Sequence, residues 1–255
     1  MKIATWNVNS LKVRLPQVLD WLAAHEPDVL NLQETKLTDE NFPAEEIRAA
    51  GYHVVFSGQK TYNGVAIISK QEASDVITDV PGLDDPQRRI LGATISGVRV
   101  LNLYVVNGQE VGSEKFAHKL RWLEKVCDYI AGQIKAHKYF TTVGDFNIAP
   151  DDRDVYDPEV WRERILCSTP ERQALQKILA LGLSDVFRQF SQPDNSFTWW
   201  DYRQAAFRRN MGLRIDLILA SPALAENCTA CTIDKETRAL ERPSDHAPVI
   251  AEFSL

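Results

Sequence analysis

Side chains able to do acid–base, anion-binding or metal chemistry recur at the ends of apolar runs in this 255-residue chain. Asn7 and Asn9 follow the first run, Glu34 the second, Tyr104 and Asn107 a later one, and Asp145 and Asn147 another. Asp216 lies inside the run over 214–220, and Asp245 and His246 precede the last. Asp and Asn at a strand end commonly bond their own backbone in a turn, so each alone carries little weight. A set of them is different, because the rim of a rigid scaffold assembles groups from distant sequence into one site. Glu34 offers the hard oxygen that Mg2+ prefers, and reads equally well as a surface-loop glutamate. Asp145 could accept the proton of a water placed by Asn147, and Asp216 could orient the ring of His246 by fixing which nitrogen carries the proton. The plainer readings are a turn aspartate and a core histidine satisfied by a carbonyl. The Tyr104 phenol and the Asn107 amide suit a phosphate or a leaving oxygen, against the alternative of a core tyrosine with one hydrogen bond.

The elements that must hold these groups show as periodicities. β-prone runs occupy 2–8, 29–32, 53–56, 64–69, 90–95, 98–106, 139–143 and 214–220, several of them apolar enough to be buried on both faces. Helical spacing of apolar residues predicts a helix over 13–24, stopped by Pro27, and another over 170–181. The longest covers 113–135, with Phe116, Leu120, Leu123, Val126, Cys127 and Ile130 on one face. Strands in runs, with helices that must cover them, predict an α/β (α+β) fold: a four-layer αββα sandwich of two packed mixed β-sheets flanked by helices. No Gly/Ser or Pro linker divides the chain, so residues 1–255 are expected to form a single domain.

A hydrophobic fraction of 44%, a charged fraction of 25% and six Trp are globular values, which exclude disordered, collagen-like and heptad-repeat classes. No run approaches the roughly 18 apolar residues of a membrane span, and MKIATWNVNS reads as a strand rather than a signal peptide. A cytoplasmic protein without membrane contact is expected. The four Cys are too scattered for a disulfide framework. Cys228-x-x-Cys231 lacks both the second ligand pair of a structural zinc and a strand-to-helix redox context, which leaves two half-buried thiols.

Twenty-nine Lys and Arg against 35 Asp and Glu give a net charge of −6, which speaks against a generic polyanion binder. A nucleic-acid enzyme remains compatible, since carboxylates that hold a divalent cation lower the net charge while the metal restores local positive potential. Lys36, Arg88, Arg89, Arg121, Arg203, Arg208, Arg209 and Arg214 are candidates for phosphate contact where some share a face. The segment 199–209 joins cations to Trp199, Trp200, Tyr202 and Phe207, a composition able to hold a backbone and press an aromatic ring against an exposed sugar or base. Trp in a β-protein is also commonly core, Trp200 more so than Trp199.

WNVN, LQETK, NLYVVNG, GDFNIAP, LRIDLILAS and SDHAP occur in the order and approximate spacing of the exonuclease III family of apurinic/apyrimidinic endonucleases, and the chain resembles that family over nearly its whole length. The blocks belong to the wider endonuclease/exonuclease/phosphatase superfamily, while LQETK and the stretch from FTWWDYR to LRIDLILAS look like its DNA-repair branch. The resemblance implies a Mg2+ enzyme, with Mn2+ able to substitute, that hydrolyses phosphodiesters of double-stranded DNA and leaves 3′-hydroxyl ends. Its expected reactions are incision 5′ to abasic sites and 3′–5′ removal of nucleotides or blocking groups at nicks and 3′ ends. No obligate protein partner is expected.

The same resemblance places Glu34 on the metal, with Asn7 and Asp245 near it directly or through water, and makes Asp145 and Asn147 oxygen donors to a second cation. It assigns catalysis to Asp145, Asn147, His246, Asp216 and Tyr104. Asn9, Asn107, Trp199, Leu213 and Arg203 fall to substrate binding, with Trp199 and Leu213 at the pocket for the abasic sugar. Val106 stands where relatives often carry proline, which bears on the stiffness of that loop. Two points stay open: whether Asp145 or His246 takes the proton of the water, and how many metals act.

Two other classes use the same residues. A phosphatase acting on inositol phosphates or lipids would share the metal, base and histidine, and is told apart by comparing soluble phosphorylated inositols with a duplex carrying an abasic analogue. A DNA-binding module with decayed chemistry would bind without Mg2+-dependent cleavage, yet every ligand position that the chemistry needs is filled.

Overall fold

The computed structural model describes residues 1–255. In chain order the elements are β1 (Lys2–Asn7), α1 (Leu11–His25), β2 (Val29–Gln33), α2 (Ala44–Ala49), β3 (His53–Ser57), β4 (Val65–Ser69), β5 (Ser74–Ile77), β6 (Ile90–Ile95) and β7 (Val98–Tyr104). There follow α3 (Glu114–Ala136), β8 (Phe140–Asp145), α4 (Pro158–Trp161), α5 (Thr169–Leu179), β9 (Ser184–Asp185), β10 (Asp216–Ala220), α6 (Pro222–Ala225), β11 (Cys228–Ile233) and β12 (Val249–Phe253). The strands form two six-stranded sheets, in the orders β11-β12-β1-β2-β4-β3 and β5-β6-β7-β8-β10-β9. Each sheet has one parallel pair, β1 with β2 across α1 and β7 with β8 across α3, and its other pairings are antiparallel.

Alternation along the strands makes the layers. Ile3 and Val29 of the first sheet meet Val98, Val100, Val143 and Ile218 of the second in a core between the sheets. Ala4, Trp6, Leu30 and Leu32 face the other way, onto Val18, Trp21 and Leu22 of α1. Leu101, Leu103, Leu217 and Leu219 face Trp122, Leu123, Val126 and Ile130 of α3 and Leu175 and Ile178 of α5. This is the expected αββα sandwich, and it explains why the central strands read as continuous apolar runs: both of their faces are covered.

Towards the carboxyl ends of the parallel strands the layer between the sheets turns polar. The inward series are Ile3, Thr5, Asn7 on β1; Val29, Asn31, Gln33 on β2; Val98, Val100, Asn102, Tyr104 on β7; and Val143, Asp145 on β8. The antiparallel β10 starts at this same edge, with Asp216 before Ile218.

Helix boundaries differ slightly from their periodicity. α1 starts at Leu11, whose N–H is anchored on Thr35 O at 3.0 Å beside the end of β2, and it runs through Pro16. It stops where Glu26 turns left-handed (φ 45°) and returns its N–H to Leu22 O, directly before Pro27. α3 is capped by Ser113, whose Oγ accepts the Phe116 N–H at 3.1 Å. β7 ends at Tyr104 rather than at 106. The strands β5, β9 and β11 lie at sheet edges, where half-exposed or polar residues give no apolar run to read. All four cysteines are free thiols; Cys228 and Cys231 sit on β11 against the core between the sheets, and burial pushes both thiols above their ordinary value. No helix is long and apolar enough to cross a membrane.

Candidate active site

Asn7, at the end of β1, joins the two sheets. Its amide donates to Glu34 Oε1 and to Asp145 Oδ2, each at 2.9 Å, and its own Oδ1 accepts the Asn9 N–H at 3.0 Å. Glu34 follows β2 directly, in a loop where it and Lys36 both adopt left-handed backbone (φ 54° and 56°); Asn9 (42°) and Asn147 (49°) do the same in the loops opposite. Such conformations are costly for non-glycine residues, and here they turn polar side chains into one cleft. Lys36 Nζ lies 3.0 Å from Glu34 Oε2 and also donates to Asn9 Oδ1. Burial works against the charge on Glu34, but Lys36 and the Asn7 amide outweigh it and hold the carboxyl below its usual range.

Asp145, at the end of β8, is the register partner of Asp216 at the start of β10. His246 Nδ1 is 2.9 Å from Asp216 Oδ2, and its Nε2 is 3.8 Å from Asp145 Oδ2; all three side chains are buried. Burial opposes the imidazolium, yet Asp216 and Asp145 outweigh it and lift the His246 pKa to about 10. Burial raises Asp145 too, the His246 charge offsets part of that, Asp216 adds to it, and the carboxyl stands at about 7. The two carboxylates thus favour the protonated ring of His246, with Asp145 beside it able to gain or lose a proton near neutrality. The Asn147 N–H fixes Asp145 Oδ1 at 2.9 Å.

Tyr104 lies level with Asp145 across the β7–β8 ladder. Burial, reinforced by Glu34 and Asp145, pushes its phenol well above its ordinary value, so it remains a proton donor, with the Arg89 guanidinium 4.5 Å over its ring. Asn107 Nδ2 donates to Asn147 Oδ1 at 3.2 Å, and Asn147 Nδ2 donates to Val105 O at 3.0 Å.

Lys119, fully buried on α3, donates to Asn107 O at 3.1 Å and Asn147 O at 2.7 Å while paired with Glu171. Glu171 also accepts the N–H groups of Leu166 and Ser168. One buried ion pair thus ties together three loops around the cleft. Sequence reasoning missed it; its signal is a lysine on the apolar face of α3, three residues after Phe116 and four before Leu123.

Asp245 Oδ1 accepts Asn9 Nδ2 at 2.9 Å and its Oδ2 accepts Trp199 Nε1 at 3.0 Å. The Trp199 ring is partly exposed and meets Trp161 edge-on at 6.5 Å. Leu213 is fully buried and paired through its backbone with Trp199, so it backs that wall without a surface of its own. Trp200 is wholly core. Arg203 is exposed and paired with Asp201 at 3.1 Å.

Two cations expected among phosphate contacts are not brought to the cleft. Arg214 is buried and bound to Asp154 Oδ1 at 2.6 Å and Asp185 Oδ2 at 2.7 Å, which neutralises two internal carboxylates and leaves nothing for DNA. Arg121 lines a separate groove with Leu120, Cys127 and Pro170 between α3 and α5.

Ligand atoms of Asp145, Asp216 and His246 lie within 4.8 Å of one another, close enough to hold a metal ion. The hydrogen bond to Asp216 occupies His246 Nδ1, and Asn7 Oδ1 and both Asp245 oxygens already accept hydrogen bonds, so the main donors are the carboxylate oxygens of Glu34 and Asp145. An oxygen set with two or more carboxylates fits a hard cation such as Mg2+ or Mn2+ better than zinc or copper.

The sequence matches the Endonuclease/Exonuclease/phosphatase family over residues 4–246. It is 38% identical to exodeoxyribonuclease III of Haemophilus influenzae, over 99% of this chain and 100% of that one. The structure superposes on the 3′ phosphatase NExo from Neisseria bound to product DNA hairpin, with TM-score 0.98, 54% identity and full coverage of both chains. It also superposes on an AP endonuclease from Archaeoglobus fulgidus, with TM-score 0.96, 40% identity and full coverage of both. With its six sequence blocks converging on one cleft and these likenesses along its whole length, the chain belongs to the endonuclease/exonuclease/phosphatase family, on the branch that holds exodeoxyribonuclease III and the AP endonucleases.

Proposed function

We propose that this protein is a divalent-metal-dependent DNA-repair nuclease that works in the cytoplasm as a single domain. It incises duplex DNA 5′ to abasic sites and removes nucleotides or blocking groups from 3′ ends and nicks, leaving 3′-hydroxyls. The observation that carries this reading is the Asn7 amide held between Glu34 and Asp145, two carboxylates with opposite pKa shifts in one cleft. Metal-assisted hydrolysis needs one acid that stays ionised and one that can exchange a proton.

Glu34, with Asn7, Asp145 and Asp245 about it, would hold Mg2+, which neutralises charge on the phosphate when bound. Asp145 takes the proton of the attacking water, which Asn147 orients. Asp145 rather than His246 is assigned this role because Asp216 and Asp145 favour the protonated ring of His246. His246 instead directs a charged N–H at a phosphate oxygen, held in that charge state and orientation by Asp216. The Tyr104 phenol donates to the phosphate or the leaving oxygen, and Asn107 binds a further oxygen. Lys36, Arg89 and Arg203 contact the backbone. Trp199, backed by Leu213, forms the wall that receives a base-less sugar.

Product mapping on end-labelled duplexes tests this reading, using an abasic analogue, a nick and a 3′-phosphate, each with Mg2+ and with chelator. Cleavage 5′ to the analogue and resection of 3′ ends, both abolished by chelator, support it. Hydrolysis of soluble inositol phosphates with no action on the duplexes would replace it by the phosphatase reading, and binding without cleavage by the non-catalytic one.

A further inference from the structure

Beneath the cleft, between the sheets, lies a polar layer that none of these roles uses. Asn102 is rooted in β7 of the second sheet, is fully buried, and directs its whole side chain at the first sheet. Its Nδ2 donates to Leu32 O at 3.0 Å and Ala66 O at 2.9 Å, and its Oδ1 accepts Gln33 Nε2 at 2.7 Å. Leu32 and Ala66 are register partners on β2 and β4, so one amide is fastened to two strands of the opposite sheet. Gln33 in turn donates to Thr5 Oγ1 on β1 at 2.9 Å.

These two residues sit one step from the chemistry. Gln33 is level with Asn7 across the β1–β2 ladder and adjoins Glu34 in the chain. Asn102 precedes Tyr104 by two residues on the same face of β7, and Tyr104 is level with Asp145. Further down, the sheets touch through Val98, Val100, Ile3 and Val29, and aliphatic contact is non-directional, so it tolerates small slips of one sheet over the other. A satisfied buried amide does not, because its bonds weaken steeply with distance and angle. The cleft's own bonds between the sheets, Asn7 to Asp145 and His246 to Asp216, belong to groups that must bind metal, meet substrate or move protons. They cannot hold the register through a turnover.

We infer that Asn102, with Gln33 as its partner, is a positioning residue that sets the separation of the two half-sites: Glu34 and Asn7 on one sheet, Tyr104 and Asp145 on the other. The reaction it serves is the one proposed above, and the inference rests on that reading to this extent. Asn102 touches no substrate; it acts through the strand ends.

Asn102→Leu keeps the branching and the number of side-chain heavy atoms, at a larger volume, and removes the three bonds, and Val98→Ala, at the apolar end of the same strand face, controls for a general loss of stability. The measurements are kcat and KM on an abasic duplex with Mg2+, Mn2+ binding to the DNA-free protein by electron paramagnetic resonance, and Tm. A misplacement of about 1 Å costs on the order of 100-fold, so Asn102→Leu is expected to lower kcat at least about tenfold with KM unchanged, and to weaken Mn2+ binding. Val98→Ala is expected to lower Tm without moving kcat or Mn2+ binding. Should Asn102→Leu fail to fold, Gln33→Met, which removes one of the bonds, carries the test with a smaller loss of kcat and the same sparing of KM. A folded Asn102→Leu or Gln33→Met with wild-type kcat and Mn2+ binding, or a loss of kcat that merely tracks Tm as in Val98→Ala, overturns the inference. Wild-type protein that binds Mn2+ but cleaves no DNA counts against the nuclease reading instead, and the Mn2+ comparison then decides on Asn102 alone.

Discussion

Glu34 and Asp145 accept hydrogen bonds from one amide, yet their surroundings pull them apart. Glu34 reaches solvent, has Lys36 3.0 Å away and is held ionised. Asp145 is buried beside Asp216 and His246, and burial lifts it to about 7 even against the imidazolium. A carboxylate held below its usual range suits a cation, and one that titrates near neutrality suits proton transfer. The division of labour follows from how far each strand end projects: β2 delivers Glu34 to the mouth of the cleft, whereas β8 and β10 keep Asp145 and Asp216 within the sandwich.

The largest effect is expected at the buried end. Asp145→Asn should lower the single-turnover cleavage rate about 10²- to 10⁴-fold, the range of a lost general base. Its Tm should hold or rise, because a buried carboxyl is exchanged for a neutral isostere. Next comes the substrate wall. Trp199→Ala should cost roughly five- to two-hundredfold in kcat/KM for abasic incision, as loss of a stacking ring worth about 1 to 3 kcal/mol implies. Trimming of 3′ ends should suffer less. An equal fall in both activities, measured side by side in a folded variant, would move Trp199 to the general DNA surface.

Asp216→Asn should cost about 10- to 100-fold, as lost orienting partners do. It also sharpens the comparison through pH. In the wild type the rate should rise as Asp145 loses its proton near 7 and fall as His246 loses its own near 10. Against burial, Asp216 is the chief group that retains the His246 proton, so its neutralisation should shift the alkaline limb to lower pH. A pH–rate profile with that limb unmoved would make Asp216 structural only. The smallest effect is expected at the exposed end, where Lys36→Met should weaken DNA binding modestly and reduce the salt slope of log Kd by about one, read by titrating a duplex at several ionic strengths.

The polar strand ends were legible because they interrupt apolar runs: Asn7, Glu34, Asp145, Asp216 and His246 stand out in WNVN, LQETK, GDFN, LRIDLILAS and SDHAP, and the structure brings them into one cleft. The four layers were legible for a related reason, since doubly buried strands and amphipathic helices leave different periods. What stayed hidden depends on partners far off in sequence. Arg214 reads as a surface cation until Asp154 and Asp185 close on it. Lys119 reads as one more helix lysine until Glu171 and two loop carbonyls surround it. Asn102 and Gln33 were in plain view as amides at inward positions of apolar strands, but spacing along one strand says nothing about which sheet lies opposite.

A metal titration of two isosteric variants tests the division of labour most directly: Glu34→Gln and Asp145→Asn, assayed on an abasic duplex over rising Mg2+. Glu34→Gln, which weakens the seat of the cation, is expected to need more Mg2+ and to recover much of its rate when given it. Asp145→Asn, which lacks the proton acceptor, is expected to stay slow at every concentration. Recovery of Asp145→Asn by Mg2+, with Glu34→Gln unresponsive, would reverse the two roles and contradict the assignment.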